Sequence, residues 1–174
     1  MARKKTIKRK SKQVFLFIVE GCTETNYINL LKRLYKKNAV INNCKGGSAK
    51  SVMKEAEKIV EKHGDYYTGY IVWFDFDTFI SSQDHNIKTS LESKNNVSIF
   101  INKPCVENWL LSHFTSKMSC NSKCSDCVKQ LFSFIPNYDK NDCRKLNKYI
   151  DKKNIENAID NYPDIGQIPK KYFL

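Results

Sequence analysis

The sequence lacks any apolar run approaching the roughly 20 residues that cross a bilayer; its longest is Val14 to Val19. A membrane-spanning helix is therefore not expected. The same run is too short for the apolar part of a secretion signal, and Glu20 follows it at once, so the stretch from Met1 to Cys22 is not expected to be one. Internal repeats and long low-complexity linkers are also missing. Acid is scarce: 18 Asp and Glu stand against 30 Lys and Arg. A few carboxylates in a chain of net charge +12 need a reason for sitting where they do.

The chain of 174 residues is long enough for one domain with a sizeable core. The basic surplus is uneven. Arg3, Lys4, Lys5, Lys8, Arg9, Lys10 and Lys12 hold seven of the twelve surplus charges, leaving +5 for the rest. Residues 1–12 read as a disordered basic arm, either a solubilising tail or a salt-sensitive contact to a phosphate polymer. Seven cysteines without a secretion signal point to a reducing cytosol, with thiols free or metal-bound rather than bridged.

Val14 to Val19 has the length and the β-branched and aromatic content of a strand covered on both faces. Tyr27, Leu30, Leu31, Leu34 and Tyr35 then recur at helical spacing. Ala39 to Cys44 is a weak strand, and Ser48 caps a helix carrying Val52, Ala56, Ile59, Val60 and His63, stopped by Gly64. Tyr70 to Phe74 is a second apolar strand, a helix with Ile87 and Leu91 follows, and Val97 to Ile101 is the fourth strand. Pro104 suits a helix start, with Val106, Trp109, Leu110 and His113 inward. A last helix is expected around Leu146 to Ile159, before a short PKKYFL end. The alternation predicts an α/β fold: a largely parallel four-stranded sheet with helices on both faces, Rossmann-like. A core over 13–115 would carry a cysteine-containing extension, 116–174, packed on the same domain.

Ligands of such sheets bind at the carboxyl ends of the strands. Glu20 follows the first strand, and Asp75 and Asp77 end the third, so the three are expected at one crevice. An extended backbone would send both aspartates from one face, with Cα atoms roughly 6.5 Å apart. Carboxylates flanked by Trp73, Phe74 and Phe76 are costly unless a cation offsets them, and Mg²⁺ or Mn²⁺ prefers oxygen donors. Such a site can activate water and stabilise the leaving oxygen in phosphodiester cleavage. The competing reading makes these acids solvated loop residues or helix caps.

The order E-G-x-T-E-x-x-Y at Glu20 to Tyr27, W-F-D-F-D at Trp73 to Asp77, and P-C-x-E-x-W-L-L-x-H-F at Pro104 to Phe114 resembles the RloB-like family, whose fold is a Toprim-type domain. The resemblance spans about residues 13 to 115. It implies a metal-dependent nuclease site with Glu20, Asp75 and Asp77 as ligands of Mg²⁺ or Mn²⁺, and with Glu107 helping to hold that site or a second metal. Family members are similar to AbiL-like Toprim components of abortive-infection and antiphage systems, often paired with an ABC-type ATPase that senses or restrains a toxic nuclease. Two departures stand out. Phe76 lies where the family often has arginine, and only Cys22 separates Gly21 from Thr23.

Other residues admit two readings each. Cys120, Cys124 and Cys127, with Cys143, are either structural zinc ligands or free thiols. His113 is a core or capping histidine, or else a general base or phosphate contact. Lys140 is an exposed turn lysine or stabilises a scissile phosphate. Cys22, Cys44 and Cys105 read as buried small hydrophobes. At the level of function, a DNA- or RNA-cleaving defence effector stands against a non-catalytic nucleic-acid- or partner-binding module, and against a housekeeping RNA-processing Toprim nuclease resembling the one that matures 5S ribosomal RNA.

Overall fold

A computed structural model describes residues 13–117 and 123–174. The basic arm 1–12 and Cys120 lie outside the described residues, as does the side chain of Cys143. Four strands, β1 (Phe15–Val19), β2 (Ala39–Asn43), β3 (Gly69–Asp75) and β4 (Val97–Asn102), form one parallel sheet in the order β2-β1-β3-β4. Parallel neighbours need long crossovers, here provided by α1 (Cys22–Tyr35), α2 (Ala49–His63) and α3 (Ser82–Glu92).

The two central strands, β1 and β3, are apolar up to their carboxyl ends because the sheet is covered on both sides. Phe17, Val19, Ile71 and Trp73 enter one core cluster, while Leu16, Ile18, Tyr70, Val72 and Phe74 enter the other. Helices α2 and α3 cover the second face, with Val52, Met53, Ala56, Val60 and Leu91 buried there. Ser48 caps α2 by accepting from the Ser51 N–H at 3.3 Å, and Ser81 and Asp84 cap α3 reciprocally. Among the described residues, no helix is long and apolar enough to cross a membrane.

The other face is covered more deeply than the helical periodicity predicts. The helix after Pro104 runs only from Val106 to Leu111 (α4), and all six of its residues are buried, Glu107 and Asn108 included. It is enclosed because α5 (Cys124–Leu131), α6 (Cys143–Tyr149), α7 (Lys152–Asn161) and α8 (Pro163–Tyr172) add to the same side. The single last helix expected near Leu146 to Ile159 is in fact broken into α6 and α7. Asp151 makes the break, its side chain accepting from the Asn154 N–H at 2.9 Å. Pro163 then opens α8, a position where its missing N–H costs nothing.

The PKKYFL segment is therefore part of the core. Tyr172 meets Phe15 and Phe17 edge-on at 4.9 and 5.8 Å between ring centroids, and Phe173 packs on Phe17 at 5.7 Å. One continuous cluster joins the sheet to these last helices.

Helix α8 lies so close to α7 that a methyl at Gly166 would sit 2.8 Å from the Ile159 Cα. Backbone cannot yield as a flexible side chain can. Gly166→Ala should lower unfolding free energy by about 1–3 kcal/mol, the usual cost of overpacking. Denaturant titration with an unshifted midpoint would refute this close approach.

Candidate active site

Each strand of the sheet ends in a polar residue: Glu20 just beyond β1, Asn43 on β2, Asp75 on β3 and Asn102 on β4. Because β1 and β3 are parallel neighbours, with Val19 level with Trp73, Glu20 comes level with Phe74 and lies one residue short of Asp75. The Glu20 Oε2 accepts from the Asp75 N–H at 3.0 Å, and the Glu20 N–H donates to the Trp73 carbonyl at 3.2 Å. On the far side, Asp75 lies level with Asn102, whose Nδ2 donates to the Asp75 Oδ1 at 2.8 Å. The Asn102 Oδ1 in turn accepts from the Trp73 Nε1 at 2.9 Å. Three strands thus hold two carboxylates by backbone and amide hydrogen bonds.

These groups open on a crevice of about 560 Å³. Its walls carry five carboxylates, Glu20, Glu24, Asp75, Asp77 and Glu107, and two lysines, Lys45 and Lys140. The expected meeting of Glu20, Asp75 and Asp77 is therefore present, and Glu107 and Lys140 line the same crevice. Asp77 arrives differently from the sequence expectation. The chain leaves the extended conformation after Asp75, and Phe76–Thr78 is a 3₁₀ turn closed by the Phe79 N–H on the Phe76 carbonyl at 2.9 Å. Beyond the end of β4 no ladder partner remains to keep the backbone extended. Phe76 turns partly outward, with the Lys103 Nζ 5.8 Å from its ring centroid.

Crowding of like charge shows in the titration of the site. Burial first, then the neighbouring Glu24, pushes the Asp75 carboxyl up to about 9, against the pull of the Asn102 amide. Burial also raises Glu24 to about 7, with Glu20 and Glu107 adding to it. Glu20 is raised by burial and by Asp77, while the Asp75 N–H and Lys140 pull it down. Among the described residues, no three His, Cys, Asp or Glu side chains are drawn together as ligands of one ion.

Glu24 and Asn102 went unassigned by sequence reasoning. Glu24 stands one helical turn after Glu20 inside the first motif, and its Oε2 accepts from the Gly21 N–H at 3.2 Å. That spacing was the available signal. Asn102 had a fainter one, a polar residue closing an apolar strand as Asp75 does. The loop bearing Lys140 is tied to α1 by the Asn26 Nδ2 donating to the Lys140 carbonyl at 3.1 Å, and by Thr23 and Tyr138, whose hydroxyls lie 3.1 Å apart.

His113 is placed elsewhere. It is fully buried, 3.0 Å from the Tyr27 hydroxyl through Nε2 and 3.0 Å from the Trp109 carbonyl through Nδ1. Burial lowers it to about 4. A ring sealed in the core has no path to a phosphate in the crevice, so His113 is a packing residue. Of the cysteines, Cys105 and Cys124 line the crevice and Cys127 is buried behind them. Burial pushes all three thiols up. The Cys124 Sγ lies 3.9 Å from the Asp77 Oδ2. Cys22 is exposed rather than buried, since it opens α1 at the crevice rim.

The chain matches the model of the RloB-like protein family over residues 15–170 and belongs to that family. The match continues through α7 and most of α8, well past the motifs that end at Phe114. No curated protein and no solved structure matches the chain.

The raised Asp75 carboxyl has a consequence for stability. A carboxyl held near 9 when folded and near its ordinary value of about 3.9 when unfolded binds its proton more tightly in the native state. Stability of the metal-free protein should then fall as pH rises between those two values. Asp75→Asn keeps an acceptor for Asn102 without the charge, so at pH 8 it should stabilise the metal-free protein by about 1–3 kcal/mol, one to two pKa units' worth. Thermal melts from pH 5 to 9 that run parallel for both proteins would refute the assignment.

Proposed function

We propose that this member of the RloB-like family is a metal-dependent nuclease of Toprim type, hydrolysing phosphodiester bonds of nucleic acid. The observation that carries the proposal is the meeting of Glu20, Asp75, Asp77 and Glu107 with Lys140 in one crevice at the strand ends. The donors are carboxylate oxygens, the chemistry that Mg²⁺ or Mn²⁺ selects. Mg²⁺ is commonly held through one or two carboxylates and keeps several waters, so Asp75 and Asp77, with Glu20 or Glu107 beside them, suffice without a closed cage. A bound ion there would supply charge neutralisation at the phosphate and a more acidic water.

The chain's own residues do the rest. The Asp75 N–H holds the Glu20 carboxyl in place, and burial raises it, so it takes a proton from an attacking water better than an ordinary glutamate. Lys140, like Lys45, brings positive charge to a crevice that carries five carboxylates, and would stabilise charge building on the phosphate. Asn102 and Trp73 keep Asp75 in register. A cytosolic role as an antiphage or abortive-infection effector, under an ABC-type ATPase partner, comes from the family resemblance.

The test is direct. Wild-type protein and Asp75→Ala are incubated with plasmid DNA and with total tRNA in Mg²⁺, Mn²⁺ or EDTA, with and without an added ABC-type ATPase partner. Metal-dependent cutting by the wild type, reduced about 10²–10³-fold in the variant, is expected for loss of a group that stabilises transition-state charge. Binding without cleavage under every condition would make the protein a binding module instead.

A further inference from the structure

The crevice does not end at its carboxylates. A second depression of about 450 Å³ shares Asn43, Lys45 and Gly46 with it. A third, of about 320 Å³, shares Asn42, Glu55 and Lys58 with the second. The three form a chain of hollows along β2, the edge strand of the sheet, and the neighbouring side of α2. The outer two are lined by Lys45, Lys54, Lys58 and Lys62, and by one carboxylate, Glu55.

From these hollows we propose that a single strand of nucleic acid leaves the carboxylate crevice over Lys45 and runs along the groove between β2 and α2. The inference rests on the nuclease reading and adds where the substrate lies and in what form. A crevice lined by five acids repels a polyanion, so phosphates flanking the reacting one need cations just outside it. Lys45 stands at that exit, exposed, on a turn where Lys45, Gly46 and Gly47 all have positive φ, of 60°, 86° and 124°.

Lys54, Lys58 and Lys62 follow at successive helical turns, about 6 Å apart along the axis, so each can take a different phosphate. Glu55 does not cancel them. Its contact with Lys58 is 3.8 Å long, with side chains 42% and 76% exposed, and ion pairs of that kind contribute little. At the far end His63 and Tyr67 line the last hollow, and Tyr66, in ring contact with both, is 78% exposed. Exposed aromatic faces stack on unpaired bases, which selects a single strand over a duplex.

Binding is read by fluorescence anisotropy in EDTA, where cleavage is off, using the full chain and labelled 20-nucleotide oligo(U) and oligo(dT). A 20-base-pair duplex serves as competitor. The track variant is Lys54→Gln/Lys58→Gln/Lys62→Gln, and the control is Lys152→Gln/Lys153→Gln/Lys170→Gln, which removes equal charge elsewhere on the surface. At roughly 0.1 M salt the track variant should bind at least about tenfold more weakly, and its plot of log affinity against log salt should be flatter by about 2, near 0.7 for each phosphate left unneutralised. The control should change affinity less than about threefold, and the stronger of the two oligonucleotides identifies RNA or DNA as the polymer. Equal losses in both variants, or no loss in the track variant, would overturn the track and leave the nuclease reading standing. A duplex that competes as well as the single strand would overturn the single-strand assignment. Wild-type protein that neither binds nor cuts any nucleic acid would overturn the nuclease reading itself.

Discussion

The pairing of β1 with β3 as parallel neighbours is the constraint on which the site depends. Val19 lies level with Trp73, which places Glu20 level with Phe74 and within reach of Asp75, whose N–H donates to the Glu20 carboxylate. A slip of one residue would turn every side chain of β1 to the other face, taking Phe17 and Val19 out of one core and Leu16 and Ile18 out of the other. The hydrophobic register that fills two cores is thus the same register that sets two acids together. Packing energy holds the carboxylates where electrostatics alone would drive them apart.

That arrangement has a cost, visible in the raised carboxyls of Glu20, Glu24 and Asp75. A chain with a basic surplus has cations available to offset it, yet among the described residues only Lys45 and Lys140 bring positive charge to the crevice lining. Functional sites are where such unresolved charge is tolerated. The deep burial behind the site makes it tolerable: the Tyr27 ring lies 5.9 Å from Trp73 and 5.7 Å from Trp109 between centroids, and α4 through α8 seal this cluster. Helix α4 shows the coupling. It buries Trp109 and Leu110 in the core and brings Glu107 to the crevice.

Legibility varied along the chain for physical reasons. Strands β1 and β3 and the first two helices were plain, since buried parallel strands read as unbroken apolar runs and their covering helices show one-sided periodicity with Ser48 and Gly64 as punctuation, whereas β2, an edge strand ending in two asparagines, gave only a weak signal. The last 50 residues were not plain either. Helices α5 to α8 are short, and PKKYFL carries no periodicity that marks it as core; its burial depends on Phe15 and Phe17 waiting across the sheet. His113 offered the opposite difficulty, because a histidine on an inner face reads alike for a ligand and for a packing ring until its neighbours are seen.

By itself the sequence determined an alternating parallel fold and the meeting of acids from two strand ends at one edge. Both follow from local pattern: apolar runs need two covered faces, and parallel connections return every strand in one direction. Only the tertiary structure decided that Asp77 comes from a turn rather than an extended strand, that Glu24 and Asn102 complete the site, and that His113 belongs to the core. It also decided that the crevice opens onto the lysines of α2. Those outcomes depend on which segments lie against one another across tens of residues, and such distances leave no periodic trace in a chain.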